Sequence, residues 1–155
     1  MPKYIKNEKN KYLKSESIFK RINETVKPDI VVVPNDRSEI IVLFLLKKFK
    51  EKKVKTVIVP TSFLSGPERL ILTREKNVEY TIKLHLFFKR KYKSMYYLKN
   101  KSYICFYPFH QVLLFRKYIL SKNPWAIGSG NVTEIFVDGE HAKETLISLG
   151  TKPNK

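Results

Sequence analysis

Positive charge outnumbers negative by more than two to one: 31 Lys and Arg stand against 14 Asp and Glu, a formal charge of +17 over 155 residues. This excess limits the chain to a disordered basic tail or a folded basic domain. A hydrophobic content of 43% and an aromatic content of 13% place it with the folded domains. A compact body with so much unneutralised charge repels itself, and its natural counter-surface is a polyanion. Nucleic acid is the commonest such partner, and counterions released from its phosphates supply the affinity. A generic lysine-rich solvated surface is the alternative. The interleaving of cations with aromatics favours nucleic acid.

A chain of 155 residues makes one domain, or two very small ones sharing a core. Ile40 to Leu46 is its longest apolar run, far below the ~20 residues of a membrane span. The lone Cys105 cannot form an internal disulfide and reads as a small buried residue. Ala occurs only at 126 and 142, whereas Lys, Ile, Tyr, Phe and Asn abound. Their A/T-rich codons suggest an A/T-rich genome. Residues 1–14 lack both the apolar core of a secretory signal and the Arg and Ser of a transit peptide. They read as a basic arm lying on RNA.

The periodicity predicts a helix over Ser15–Glu24, a strand over Asp29–Val33 and a second helix from Ser38 to about Lys52. Asp36 with Glu39 resembles a capping box, and Ile41, Phe44, Leu45 and Phe49 form the expected inner stripe. Strands follow at Val54–Val59 and Arg69–Arg74, so the first module reads αβαββ. Beyond it the sequence predicts strands at Tyr80–Phe88, Tyr103–Tyr107, Trp125–Gly128 and Glu134–Val137. A short helix is expected over His110–Leu120, and a last one, capped by Asp138, over Glu140–Leu149 with Gly150 just past its end.

The three histidines, 85, 110 and 141, have no metal-like spacing, and no second Cys exists to complete a zinc site. No cofactor is expected. Asp29, Asp36 and Glu39 could hold Mg²⁺ in a small nuclease, although capping and strand entry already account for them. Between Lys89 and Tyr103, cations alternate with tyrosines. Cations meet phosphates there while some rings stack on bases and about half pack on the core. The turn Gly128-Ser-Gly-Asn-Val-Thr133 is small and rich in hydrogen-bonding groups. It suits close approach to a sugar or base edge, or is an ordinary polar turn.

The stretch Trp125-Ala-Ile-Gly-Ser-Gly-Asn-Val-Thr-Glu-Ile-Phe-Val-Asp-Gly-Glu-His-Ala142 resembles the signature of the universal small-subunit ribosomal protein numbered eight, the S-eight family. That family carries Ala-Ile, Ser-Thr-Ser, Thr-Asp and Glu-Ala in this order. Ala126, Ile127, Ser129, Asp138, Glu140 and Ala142 match, and Gly130-Asn131 replaces Thr-Ser. Ile18-Phe-Lys-Arg-Ile-Asn23 and Val32-Val-Pro34 look like the family's first helix and its strand-to-helix entry. Lys89-Arg90 falls where the family has a Lys-Arg loop, without that loop's Pro-Gly. The terminal Gly-Gly-Glu has become Leu149-Gly-Thr-Lys152.

The resemblance implies an α+β fold of two packed modules: a basic extension at 1–14, an αβαββ module at 15–78 and a mostly β rRNA-binding module at 79–155 with a short terminal helix. It implies binding without turnover to the central domain of small-subunit rRNA, beside neighbouring small-subunit proteins. No membrane and no small-molecule substrate are expected. Lys20, Arg21, Asn23 and Arg37 would contact RNA from the first module. Lys89, Arg90 and Tyr103 would do so from the long loop. Ser129, Gly130, Asn131 and Thr133 would read sugar and base edges, flanked by Gly150 and Thr151. Such divergence with such codons suits a mitochondrial ribosome, with another A/T-rich organelle or a bacterial cytoplasm as alternatives. Besides the nuclease, a DNA-binding architectural protein is the rival class.

Overall fold

The computed structural model of the chain describes residues 3–37, 39–60, 89–90, 93–99, 102–116, 119–121 and 123–153. Within them the fold is mixed α and β, with four helices and two small sheets. The predicted strands Arg69–Arg74 and Tyr80–Phe88, and the module boundary at 78/79, lie outside the described residues.

Helix α1 (Lys3–Thr25) takes in residues 3–14 of the segment that the sequence suggests as a basic arm. The reason is a seam that apolar periodicity alone does not reveal. Glu8, Tyr12, Ser15, Phe19 and Ile22 recur at alternating spacings of four and three, which places them on one face. Tyr12, Phe19 and Ile22 are half-buried there, and Ser15 is fully buried with its hydroxyl bonded to the Lys11 carbonyl at 2.7 Å. The buried Glu8 carboxylate accepts from Lys11 Nζ at 3.0 Å and Gln111 Nε2 at 3.3 Å, with His110 Nε2 at 3.6 Å. A Glu and a Ser on the seam disguise it as polar.

Strand β1 (Ile30–Val33), helix α2 (Ile40–Glu51) and strand β2 (Lys55–Ile58) form a βαβ unit whose strands pair in parallel, Ile30 opposite Lys55 and Val33 opposite Ile58. Helix α2 has Glu39 at its N-cap with no side-chain cap. The expected capping box is therefore not made, because the Asp36 carboxylate is used elsewhere in the chain. The C-terminus of α2 closes with Lys53 at φ 61° and the Val54 N–H on the Phe49 carbonyl at 2.9 Å. This is a left-handed helix stop of the kind glycine usually supplies.

The expected single inner stripe of α2 is replaced by burial on two sides. Ile40, Leu43 and Phe44 enter one core, and Leu46, with Val42 beside it, enters another. A helix apolar most of the way round is one that is covered most of the way round.

The larger core is aromatic. Strands β3 (Tyr96–Lys99) and β4 (Ser102–Cys105) pair antiparallel, Tyr96 opposite Cys105, after a 3₁₀ turn at Lys93–Met95. Much of the expected long loop is thus a turn and a strand, and Tyr96 and Tyr97 pack against the core. Helix α3 (Phe109–Phe115) is shorter than the sequence suggests. It brings Val112 and Phe115 to Phe106, Trp125, Met95 and the α2 residues.

The smaller core lies on the sheet. Strand β5 (Glu134–Ile135) pairs in parallel with β2, Ile135 opposite Ile58, so the sheet order is β1-β2-β5 and draws strands from both halves of the chain. Helix α4 (Glu140–Ser148) follows, with Gly139 rather than Asp138 at its N-cap. It ends as the sequence predicts. Gly150 has φ 98°, its N–H bonds the Ile147 carbonyl at 2.9 Å, and the Thr151 N–H bonds the Leu146 carbonyl at 3.0 Å. Among the described residues no helix is long and apolar enough to cross a membrane.

Candidate nucleic-acid interface

The two kinds of group expected to meet RNA, a small-residue turn and a set of cations, occupy different environments. The turn is held from within. Asp36, fully buried just beyond β1, accepts the Gly128 N–H on Oδ1 at 2.9 Å and the Gly130 N–H on Oδ2 at 2.8 Å. One carboxylate thereby joins the β1–α2 connection to a turn some ninety residues further along the chain. A Cβ added at Gly130 would stand 2.7 Å from Asp36 Oδ2, so only glycine allows this approach without a shift. Gly128 has φ 79°, and a Cβ there would collide with the Ile135 side chain.

The hydroxyls of the turn are also engaged. Ser129 Oγ donates to the Asn123 carbonyl and meets Ser121 Oγ, which therefore acts as the donor between them. Thr133 Oγ1 accepts the Thr56 N–H at 3.1 Å, and the Thr133 N–H reaches the Thr56 carbonyl at 2.8 Å. Thr56 Oγ1 in turn donates to the Asn131 carbonyl at 3.2 Å. Thr151, buried past the end of α4, donates its hydroxyl to the Ile127 carbonyl at 2.7 Å. Residues Trp125–Gly128 were expected as a strand. They form successive turns, Ala126 N–H to Asn123 and Ser129 N–H to Ala126, because their backbone partners come from Asp36 and from local carbonyls rather than from a ladder.

Arg37 is half-buried, and its guanidinium donates to the Trp125 carbonyl at 3.2 Å. It belongs with the turn rather than with the outer cations.

The cations of α1 face the other way. All six of Lys6, Lys9, Lys11, Lys14, Lys20 and Arg21 are exposed; Lys6, Lys14, Lys20 and Arg21 lie away from the packed seam, whereas Lys9 flanks it beside Tyr12 and Lys11 pairs with Glu8 at 3.0 Å. Lys20 approaches Glu24 at 4.0 Å, a contact of two exposed side chains that binds neither tightly. Asn23 is half-buried beside them. Lys89, half-buried, and Arg90, exposed, are helical. Tyr103 lies on β4 opposite Leu98. Gly150 is exposed at the end of α4. The structure therefore brings together Arg37, Ser129, Gly130, Asn131, Thr133 and Thr151 around Asp36 and Thr56, and separates them from the α1 cations.

The two Asp36 oxygens, suggested by sequence as metal ligands, receive backbone amides, and Asp29 and Glu39 are exposed. Among the described residues, no group of three or more His, Cys, Asp or Glu side chains converges as for a metal ion. Sequence reasoning missed Tyr12, Lys9, Lys47 and Lys48 as a group. The α1 seam and the cations flanking it were the available signal. No family model, curated protein or solved structure matches the chain.

Proposed function

We propose that the chain is a structural component of a small ribosomal subunit that binds the central domain of small-subunit rRNA and supports assembly without catalysing a reaction. The observation that supports this most is the +17 charge together with the exposed cation face of α1. Lys6, Lys14, Lys20 and Arg21, exposed on the outer side of a helix whose other side is packed, form an array suited to a phosphate backbone. The order of motifs shared with the S-eight family supplies the ribosomal part of the reading. The A/T-rich composition supplies its mitochondrial setting, and neighbouring small-subunit proteins are its expected protein contacts.

In this reading Lys20, Arg21, Lys89 and Arg90 meet phosphates. The Asp36-tied turn holds the β1–α2 connection against β5 and so keeps α1 and α2 in place to present those cations. Sucrose-gradient sedimentation of tagged protein tests the reading. The protein should stay with small subunits through a high-salt wash, and its release into the soluble fractions would reject it.

A further inference from the structure

We infer that the cavity between α1, α2 and α3 is a pocket for one unstacked RNA base, with its flanking phosphates held at the rim. This deepens the RNA-binding reading and rests on it. The cavity measures about 480 Å³, within the ~300–1,000 Å³ of sites that hold small organic ligands. Its walls are Tyr12, Phe44 and Phe115 with the aliphatic Leu114 and Ile119, and its rim carries Lys9, Lys47 and Lys48.

Both halves of this lining match a nucleotide. Tyr12 lies nearly parallel to Phe115, at 10° and 6.4 Å between ring centroids, and edge-on to Phe44 at 5.0 Å. Flat aromatic walls of this kind stack with any base, since every base offers a π face. Lys48 Nζ stands 5.7 Å from the Phe44 ring centroid, which places a cation where wall and rim meet. Glu51 offsets part of the rim charge, lying 3.7 Å from Lys47 and 3.4 Å from Lys48. The rim still keeps a net positive sign. The Glu8 carboxylate, next to Lys9 in sequence, is directed to Lys11, His110 and Gln111. An apolar slot edged by net positive charge complements a planar base attached to phosphate, and single-stranded RNA supplies that pairing repeatedly.

The test is photo-crosslinking of the whole chain to a single-stranded oligoribonucleotide carrying 4-thiouridine, with adducts located by mass spectrometry. Adducts on Tyr12 or Phe115 are expected. The double variant K9E/K48E should lower their yield at least fivefold while leaving the thermal midpoint in place. Adducts confined to other segments, with RNA still bound, would overturn the pocket and leave the RNA-binding reading intact. If the chain binds no RNA at low salt, that reading fails, and uridine monophosphate then decides the pocket alone. Ring-proton NMR shifts at Tyr12, Phe44 and Phe115 on adding it would sustain a nucleotide site, and unmoved signals would end it.

Discussion

The turn from Asn123 to Thr133 engages its glycine amides and its hydroxyls within the chain, whereas the outer face of α1 directs its charges to solvent. Both segments are rich in groups that could bind RNA. In the turn, Gly128 and Gly130 give their amides to Asp36, Ser129 gives its hydroxyl to Asn123, and Thr133 is bonded with Thr56. On α1 the inward positions are Glu8, Tyr12, Ser15, Phe19 and Ile22, and Lys6, Lys14, Lys20 and Arg21 are left over from packing. Residue type alone does not separate a gripping turn from a structural one. What separates them is whether a buried acceptor elsewhere in the chain claims the donors.

If that contrast holds, the turn governs stability and the α1 face governs RNA affinity. The largest expected effect is Asp36→Ala. It strands two amides that now bond a carboxylate, and such bonds contribute about 1.5–3 kcal/mol each. Urea unfolding should show a loss of about 3 kcal/mol or more. Gly130→Ala comes next. Its Cβ must displace the Asp36 carboxylate, and overpacking of this kind costs about 1–3 kcal/mol in the same assay. Reversing two outer charges, K20E with R21E, should leave unfolding within about 0.5 kcal/mol of the parent. It should nevertheless weaken rRNA binding and flatten its log–log salt dependence by about 1.5.

Ser129→Ala should cost about 1 kcal/mol of stability, with rRNA affinity of the folded protein unchanged. A fall in affinity without a fall in stability would return the turn to the interface.

The smallest effect belongs to Tyr96. Burial pushes its phenol well above the ordinary tyrosine range, and Cys105 alongside adds to the shift. The folded state therefore holds this proton more tightly than the unfolded chain does. Its contribution is complete below the unfolded value of about 10 and is lost as pH rises above it. Tyr96→Phe should lessen the alkaline fall in stability above pH ~10, as read by denaturation at stepped pH.

The sequence carried β1, α2 and β2 as separate elements, though not their parallel pairing. The β-branched Ile30–Val33, the apolar α2 and the Thr56-Val-Ile58 strand read directly, as did the glycine stop at 150, because each depends on local pattern. Three of the features that did not read show why. The first half of α1 was hidden by a Glu and a Ser on its packed seam. The second side of α2 was hidden because one stripe satisfies a periodicity test even when two are buried. The partner of Asp36 was hidden because Asp36-x-x-Glu39 has a plausible local explanation, while its actual donors lie some ninety residues away. Of the expected interface residues, Lys20, Arg21 and Arg90 are exposed and Lys89 is half-buried. The hydroxyls could not be placed without knowing that Thr56, Asn123 and Ile127 stand opposite them.

The central claim is that outward positive charge, including the exposed cations of α1, clamps folded RNA. Its most direct test is the salt dependence of binding to a central-domain rRNA fragment. Neutralising about six phosphates predicts a log–log slope of roughly −4 to −5. A slope near zero, or one that K20E with R21E leaves unaltered, would contradict it.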